Sequence, residues 1–120
     1  MSRRKFTNGM VVRAKDIPDR SAAVEHVPRP VLVTSVNKRA PFVAYVISTR
    51  KDNPDSDAVM EMPWDSNTGA GTGLKEWCAL VLRWMVIVEP EQVENVSGQV
   101  TSDFLDRGRQ LIREAKDRFG

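Results

Sequence analysis

An arginine before one apolar segment and two hydroxyls after the next are the residues whose types and spacing suggest chemistry. Arg29 precedes the β-branched run 31–36, and the run 42–47 ends in Ser48 and Thr49. If the two runs are neighbouring antiparallel strands, the arginine and one hydroxyl meet at the same end of a sheet. A guanidinium fork and a hydroxyl both donate well to phosphate oxygens. The pair therefore indicates a phosphodiester site, with a solvated strand end as the alternative.

The segments that must position these residues are short, rich in Val and Ile, and separated by Pro, Asp, Asn and Gly, which is typical of an all-β domain. Strands are predicted over residues 10–14, 31–36, 42–48 and 58–62. A polar loop is predicted over residues 15–28. The run 77–88 is too long for one flat strand, and we interpret it as a bent strand, or two strands, with Arg83 and Trp84 near the bend.

The last segment has a helical period. Its apolar residues recur at spacings of three and four, and Thr101 or Ser102 is suited to cap the helix. An amphipathic helix must bury its apolar stripe on the sheet. The predicted fold is therefore mostly β with a C-terminal α-helix, a curved antiparallel barrel with the helix packed against it.

Composition limits the class of protein. The 120 residues are 41% hydrophobic and 28% charged, as expected for one globular domain over residues 9–120, preceded by a basic flexible tail, residues 1–8. The net charge of +2 permits a nucleic-acid partner without requiring one. The lone Cys78 lies in an apolar run, where a small buried hydrophobe is favoured over a reactive thiol. With no signal peptide and no membrane-spanning run, a cytoplasmic protein that does not contact a membrane is expected.

The order of these elements resembles the MazF/PemK (Kid) family of type II toxins. The resemblance extends from about Asn8 to about Ala115, and its most specific element is the strand Arg29-Pro30-Val31-Leu32-Val33. It also covers the Gly9-Met10-Val11-Val12 start and the Gly73-Leu74 turn before the long strand. It implies an SH3-like barrel that dimerises, cleaves single-stranded RNA without a metal, and is silenced by a cognate antitoxin.

The resemblance also implies roles for particular residues. Arg29 matches the arginine that stabilises the pentavalent phosphate, and Ser48, or Thr49 if the register slips by one, matches the hydroxyl that ends the third strand. Leu82 stands where several family members carry an acid. An acid–base partner is therefore expected from the first long loop, with Glu25 or His26 as candidates. The cations expected to contact RNA are Arg20, Arg50, Lys51 and Arg83.

Two functions from different classes follow. The first is a toxin-like, metal-independent endoribonuclease that cleaves single-stranded RNA, works without a cofactor, forms a homodimer and pairs with an antitoxin protein. The second is a catalytically silent SH3-like barrel that binds a peptide or nucleic acid in the same groove. The missing acid at Leu82 favours the second, and Arg29 with its hydroxyl favours the first.

Two further motifs have more than one interpretation. Trp64, Trp77 and Trp84 suit base stacking if exposed, although tryptophan in a small barrel is more often core or interface. The glycine-rich segment 69–73 lacks the Gly-Lys-Ser/Thr sequence of a phosphate-binding loop, and an ordinary loop is favoured. No metal-ligand pattern is present in the sequence.

Overall fold

The computed structural model describes residues 6–18, 26–36, 41–49 and 58–119. Six strands and one α-helix follow in chain order, with short 3₁₀ turns at Gly69–Gly71 and Pro90–Gln92. The strands are β1 (Met10–Pro18), β2 (His26–Ser35), β3 (Phe42–Ser48), β4 (Val59–Glu61), β5 (Ala79–Val88) and β6 (Val93–Gln99), and the helix is α1 (Ser102–Phe119).

The strands form one antiparallel sheet in the order β4-β5-β3-β2-β1-β6. The mostly-β class with a C-terminal helix is confirmed. The hydrogen-bonded ladder does not close among the described residues, because β4 and β6 stand at opposite edges. Loop 69–73 lies against β6, since a Cβ added to Gly73 would lie 2.6 Å from the Ser97 carbonyl oxygen. A loop thus covers the β6 edge next to Ser97.

The alternation of strand residues produces two buried clusters on the two faces of the sheet. The helix-side cluster contains Leu32, Tyr45 and Leu80 together with Leu105 and Ile112 of α1. The opposite cluster consists of small and β-branched side chains from β1, β2, β3, β5 and β6, namely Val12, Ala14, Ile17, Val31, Val33, Ala44, Val46, Val86, Val88 and Val93, with Phe42. Burial of these side chains against one another is consistent with a curved sheet.

Helix α1 forms where the sequence predicts it. The Thr101 hydroxyl accepts a hydrogen bond from the Phe104 amide at 3.2 Å and caps the first turn. Arg109 donates from its guanidinium to the Thr34 carbonyl oxygen and ties the helix to β2. None of the helices in the described part of the chain has the length and apolarity that crossing a bilayer requires.

The first two strands are longer than predicted. Residues 15–18 and 26–28, assigned to a loop from the sequence, continue β1 and β2. The ladder shifts register between Ala14 and Ile17, and Asp16 adopts a positive φ of 59° at this bulge. The bulge lets a polar segment remain paired, so polarity alone misplaces the strand ends.

Two other elements test the sequence interpretation. The long run forms one strand and not two, and its ladder is irregular where the bend is predicted: two positions along β3, from Ile47 to Tyr45, correspond to five along β5, from Leu80 to Met85. β6 is not among the predicted strands. Most of its residues are polar or exposed, as on an edge strand. Asn95, Ser97 and Gly98 are typical of turns and obscure the alternation of a strand.

The start of the described chain packs on the sheet. The Phe6 and Phe42 rings lie 5.2 Å apart between centroids. The Asn8 Oδ1 accepts a hydrogen bond from the Val36 amide at 3.0 Å. Phe6 and Asn8 fall in the segment, residues 1–8, that the sequence assigns to a flexible tail. Residues 1–5 lie outside the described part of the chain.

Candidate functional site

Two short rows of paired residues lie near one end of the sheet, one on β4, β5 and β3 and the other on β2, β1 and β6, and they line up when the β2–β3 register is continued. Glu61 pairs with Ala79, Ala79 with Ser48, and Arg29 with Ala14, which pairs in turn with Val93. The β2–β3 register Val31↔Val46, continued by two residues, sets Arg29 opposite Ser48. The row in sheet order is Glu61, Ala79, Ser48, Arg29, Ala14 and Val93. Directly paired residues share a face, so all six lie on the face opposite α1.

The predicted pair of Arg29 and a hydroxyl is thus brought together by neighbouring strands. Ser48 is the hydroxyl in the row, and it is buried at 8% exposure. Thr49 follows the end of β3 and is exposed. Between the two alternatives left by the sequence, the register favours Ser48.

Trp84 fixes one side of the arginine. The Arg29 Cζ lies 5.0 Å from the centroid of the Trp84 ring, which is cation–π distance, and the Arg29 Nε is buried. Trp84 reaches this position because the β5 bulge turns it onto the same face as Val86 and Val88. The contact restricts the plane of the guanidinium and with it the directions of the N–H donors of Arg29.

Glu61 places a carboxylate in the same row, and the sequence interpretation did not select it. Glu61 is the last residue of the edge strand β4 and is exposed. Ala79, which is buried, separates it from Ser48 in the pairing across β5. The short strand was predicted, but its partner was not, and without the partner no register connects Glu61 to Ser48.

The helix-side face of the sheet carries groups that are poorly suited to catalysis. Leu82, at the position where the family acid is expected, is buried in the helix-side cluster. Cys78 is buried in the same cluster, and burial together with the charges of Glu76 and Glu61 raises the pKa of its thiol to about 11. The thiol is therefore protonated at neutral pH, as expected for a packing residue and not for a nucleophile.

The other predicted site residues are less completely placed. Arg83 is exposed on β5 next to Trp84. His26 begins β2 and pairs with Pro18, and only its backbone belongs to the described part. The predictions for Arg20, Glu25, Arg50 and Lys51 fall outside the described residues. Trp64 is 40% exposed, and Trp77 is partly buried.

The glycine-rich loop is shaped by its own hydrogen bonds. The Asp65 carboxylate accepts the amides of Asn67 and Thr68 at 2.8 and 2.9 Å, and the Thr72 hydroxyl donates to the Pro63 carbonyl oxygen at 2.8 Å. Gly69, Gly71 and Gly73 all have positive φ. Across residues 58–119 and the other described segments, no three His, Cys, Asp or Glu side chains are grouped to hold a metal ion.

Comparison with known proteins adds no identification. The chain matches no protein-family model, and no curated protein matches it significantly. The function is therefore inferred from the residues of the site and from their resemblance to the toxin motif.

Proposed function

We propose that this protein is a metal-independent endoribonuclease that cleaves single-stranded RNA and acts as the toxin of a type II toxin–antitoxin pair. The proposal is supported by the position of Arg29 and Ser48 on one face of the neighbouring strands β2 and β3, opposite each other when the Val31↔Val46 register is continued, and by the contact of Trp84 with the guanidinium. The motif resemblance to MazF/PemK toxins supports the same residues.

The proposed reaction needs no metal-bound water. The ribose 2′-oxygen attacks the adjacent phosphorus, the bond from phosphorus to the 5′-oxygen breaks, and a 2′,3′-cyclic phosphate and a 5′-hydroxyl result. Negative charge builds on the phosphoryl oxygens during the attack. Arg29 and the Ser48 hydroxyl donate to those oxygens, and donors held in place by the sheet stabilise the charge without reorganising. Single-stranded RNA is preferred because its backbone can adopt the in-line geometry.

The test is cleavage of a single-stranded RNA in excess chelator, followed by analysis of the product ends. We expect cleavage to persist, with 2′,3′-cyclic phosphate and 5′-hydroxyl ends, and a duplex of the same sequence to resist. Loss of activity in chelator with recovery on adding magnesium would contradict the mechanism.

A second candidate function is supported by Leu82. A buried leucine replaces the family acid, and the helix-side core closes that position to substrate. A catalytically silent barrel would keep Arg29 and Trp84 as a binding surface for RNA or a peptide. In that case RNA would bind in a salt-dependent way and remain intact through prolonged incubation.

The partners and location belong to the same proposal. We expect a cytoplasmic protein, a homodimer, and an antitoxin protein encoded beside it. Co-expression with the neighbouring short reading frame should restore growth to cells that the protein alone arrests. Arrest that persists with every neighbouring frame would contradict the toxin–antitoxin assignment.

A further inference from the structure

We infer that Glu61 is the catalytic base of this site, the carboxylate that takes the proton from the attacking 2′-hydroxyl. The inference rests on the proposed function and supplies the group that Leu82 does not provide. It replaces neither Arg29 nor Ser48, whose donors act on the phosphate.

Register is the first support. Glu61 pairs with Ala79 and Ala79 with Ser48, so the carboxylate and the hydroxyl belong to one cross-strand row. Met60, its neighbour on β4, packs into the helix-side cluster, which directs Glu61 to the other face. Arg29 lies on that face as well, as its contact with Trp84 requires.

Spacing is the second support. Adjacent strands lie about 4.8 Å apart, so the Glu61 and Ser48 backbones are about 10 Å apart, with Arg29 one strand further. Ala79 occupies the interval with one methyl group. An interval of this length matches one ribose between a phosphate bound by Arg29 and Ser48 and the carboxylate of Glu61.

Exposure is the third support. Glu61 lies at the edge of the sheet with its side chain accessible, as a group that must meet substrate requires. Glu76 provides a comparison. Its charge also acts on the Cys78 thiol, yet it precedes β5 and is not part of the row. Among the described carboxylates, Glu61 is the one in the row with Arg29 and Ser48.

The proton balance is complete. The 2′-hydroxyl gives its proton to the Glu61 carboxylate as the bond from the 2′-oxygen to phosphorus forms. The departing 5′-oxygen takes a proton from water, and Glu61 returns its proton to solvent after the product leaves. General base catalysis of this type contributes about 10²- to 10⁴-fold to a rate.

Chemical rescue tests the inference. Glu61→Ala should lower single-turnover cleavage at least about a hundredfold, and added formate should restore part of the rate, because a small carboxylate fits the vacated space. Glu61→Gln, which keeps the shape and removes the charge, should be slow and should not respond to formate. Glu76→Ala, the matched control, should cleave at the parent rate.

The outcomes separate this inference from the proposed function. A parent protein that cleaves no RNA would overturn both. A parent that cleaves and depends on Arg29, with Glu61→Ala either as fast as the parent or slow but unresponsive to formate, would overturn the role of Glu61 alone. Melting curves and RNA affinity of each variant show whether fold and binding are retained.

Discussion

At the scale of single residues, the contact with Trp84 restricts the side chain of Arg29, which we propose as the phosphate donor. An arginine on open surface loses side-chain entropy whenever it binds. Trp84, 5.0 Å from the guanidinium, removes part of that cost before substrate arrives. The site should therefore be sensitive to the ring and not merely to the charge.

Replacing that ring should slow the reaction without abolishing it. We predict that Trp84→Leu lowers the cleavage rate by roughly two- to thirtyfold, because a cation–π contact contributes about 0.5–2 kcal/mol. Trp84→Phe should retain more activity. In an Arg29→Ala background Trp84→Leu should have no further effect, and independent effects of the two substitutions would contradict a role through Arg29.

Asp65 makes the stability of the glycine-rich loop depend on pH. Hydrogen bonds from the amides of Thr68 and Asn67 lower the pKa of its carboxyl below the ordinary aspartate value. As pH falls, the unfolded chain therefore takes up this proton first. The ionised Asp65 carboxylate contributes its full stabilisation above the ordinary aspartate pKa of about 3.9. That stabilisation is lost as the pH falls through the lower pKa of the folded protein.

The corresponding variant is Asp65→Asn. We predict that it is less stable than the parent at pH 7 and that the difference narrows toward pH 3, as measured by urea unfolding at both values. A difference that stays constant across this range would contradict the assigned role of the carboxylate.

From the sequence, Arg29 and a hydroxyl were predicted to meet at one sheet end, whereas Glu61, which we propose as the base, was not selected. Arg29 and Ser48 could be selected because a strand start and a strand end are local features. Glu61 could not, since its relation to Ser48 depends on how β4 pairs with β5, and pairing across a long connection leaves no local pattern.

At the scale of elements, two glycines with opposite surroundings test the packing. A Cβ added to Gly98 in β6 would lie 2.2 Å from the Gly71 carbonyl oxygen, so the backbones of the loop and the strand are in close contact. In α1, a Cβ at Gly108 would meet Leu80 and Met60 at 3.8 and 3.9 Å, which are ordinary contacts.

The two alanine variants should therefore move stability in opposite directions. We predict that Gly98→Ala destabilises the protein by about 1–3 kcal/mol, as overpacking does. Gly108→Ala should stabilise it by about 0.5–1 kcal/mol through helix propensity. Denaturant unfolding of both variants measures the change, and a stable Gly98→Ala would mean that loop 69–73 does not hold β6.

Elements with strong periodicity were predictable. The limits of β3 agree with the prediction, and α1 begins at Ser102, directly after Thr101, one of the two residues predicted to cap it. β6 was missed because an edge strand can form with little apolar sequence. Val93 is its one buried residue, and a single apolar position gives no strand pattern in the sequence. The continuation of β1 past Ala14 depends on the bulge at Asp16, which tertiary pairing stabilises.

At the scale of the whole molecule, β5 leaves apolar surface uncovered. Met85 and Ile87 are 49% and 53% exposed on adjacent outward positions of this strand. Their partners across the ladder, Tyr45 and Val43, belong to the helix-side face. Such a patch is typical of a contact surface between copies of a chain.

We predict a homodimer that uses this patch. Sedimentation at micromolar concentration should give twice the 13.5 kDa mass of one chain. Ile87→Lys should shift the protein toward monomer, whereas Val96→Lys, at another exposed valine or isoleucine position, on β6, should leave the dimer intact. A parent protein that sediments as monomer alone would contradict the prediction.

The general fold could be predicted from the sequence because β-rich and helical periods occupy separate parts of the chain. The function could be narrowed but not established in the same way. A short motif such as Arg29-Pro30-Val31 indicates a phosphate site, while Glu61, which we propose as the base, is related to Ser48 only by tertiary pairing.

The most direct test of the central claim is single-turnover cleavage of single-stranded RNA in chelator by the parent, Arg29→Ala, Arg29→Lys and Arg13→Ala. Arg13 neighbours Arg29 across the β1–β2 ladder, opposite Pro30, and is exposed on the other face. It is therefore a matched control for general loss of positive charge.

The account predicts that Arg29→Ala lowers the rate about a hundredfold or more, the usual effect of deleting one preorganised donor. Arg29→Lys should recover only part, because an ammonium does not reproduce the fork, and Arg13→Ala should cleave like the parent. An Arg29→Ala protein that is folded and cleaves RNA at the parent rate would contradict the assignment of the site.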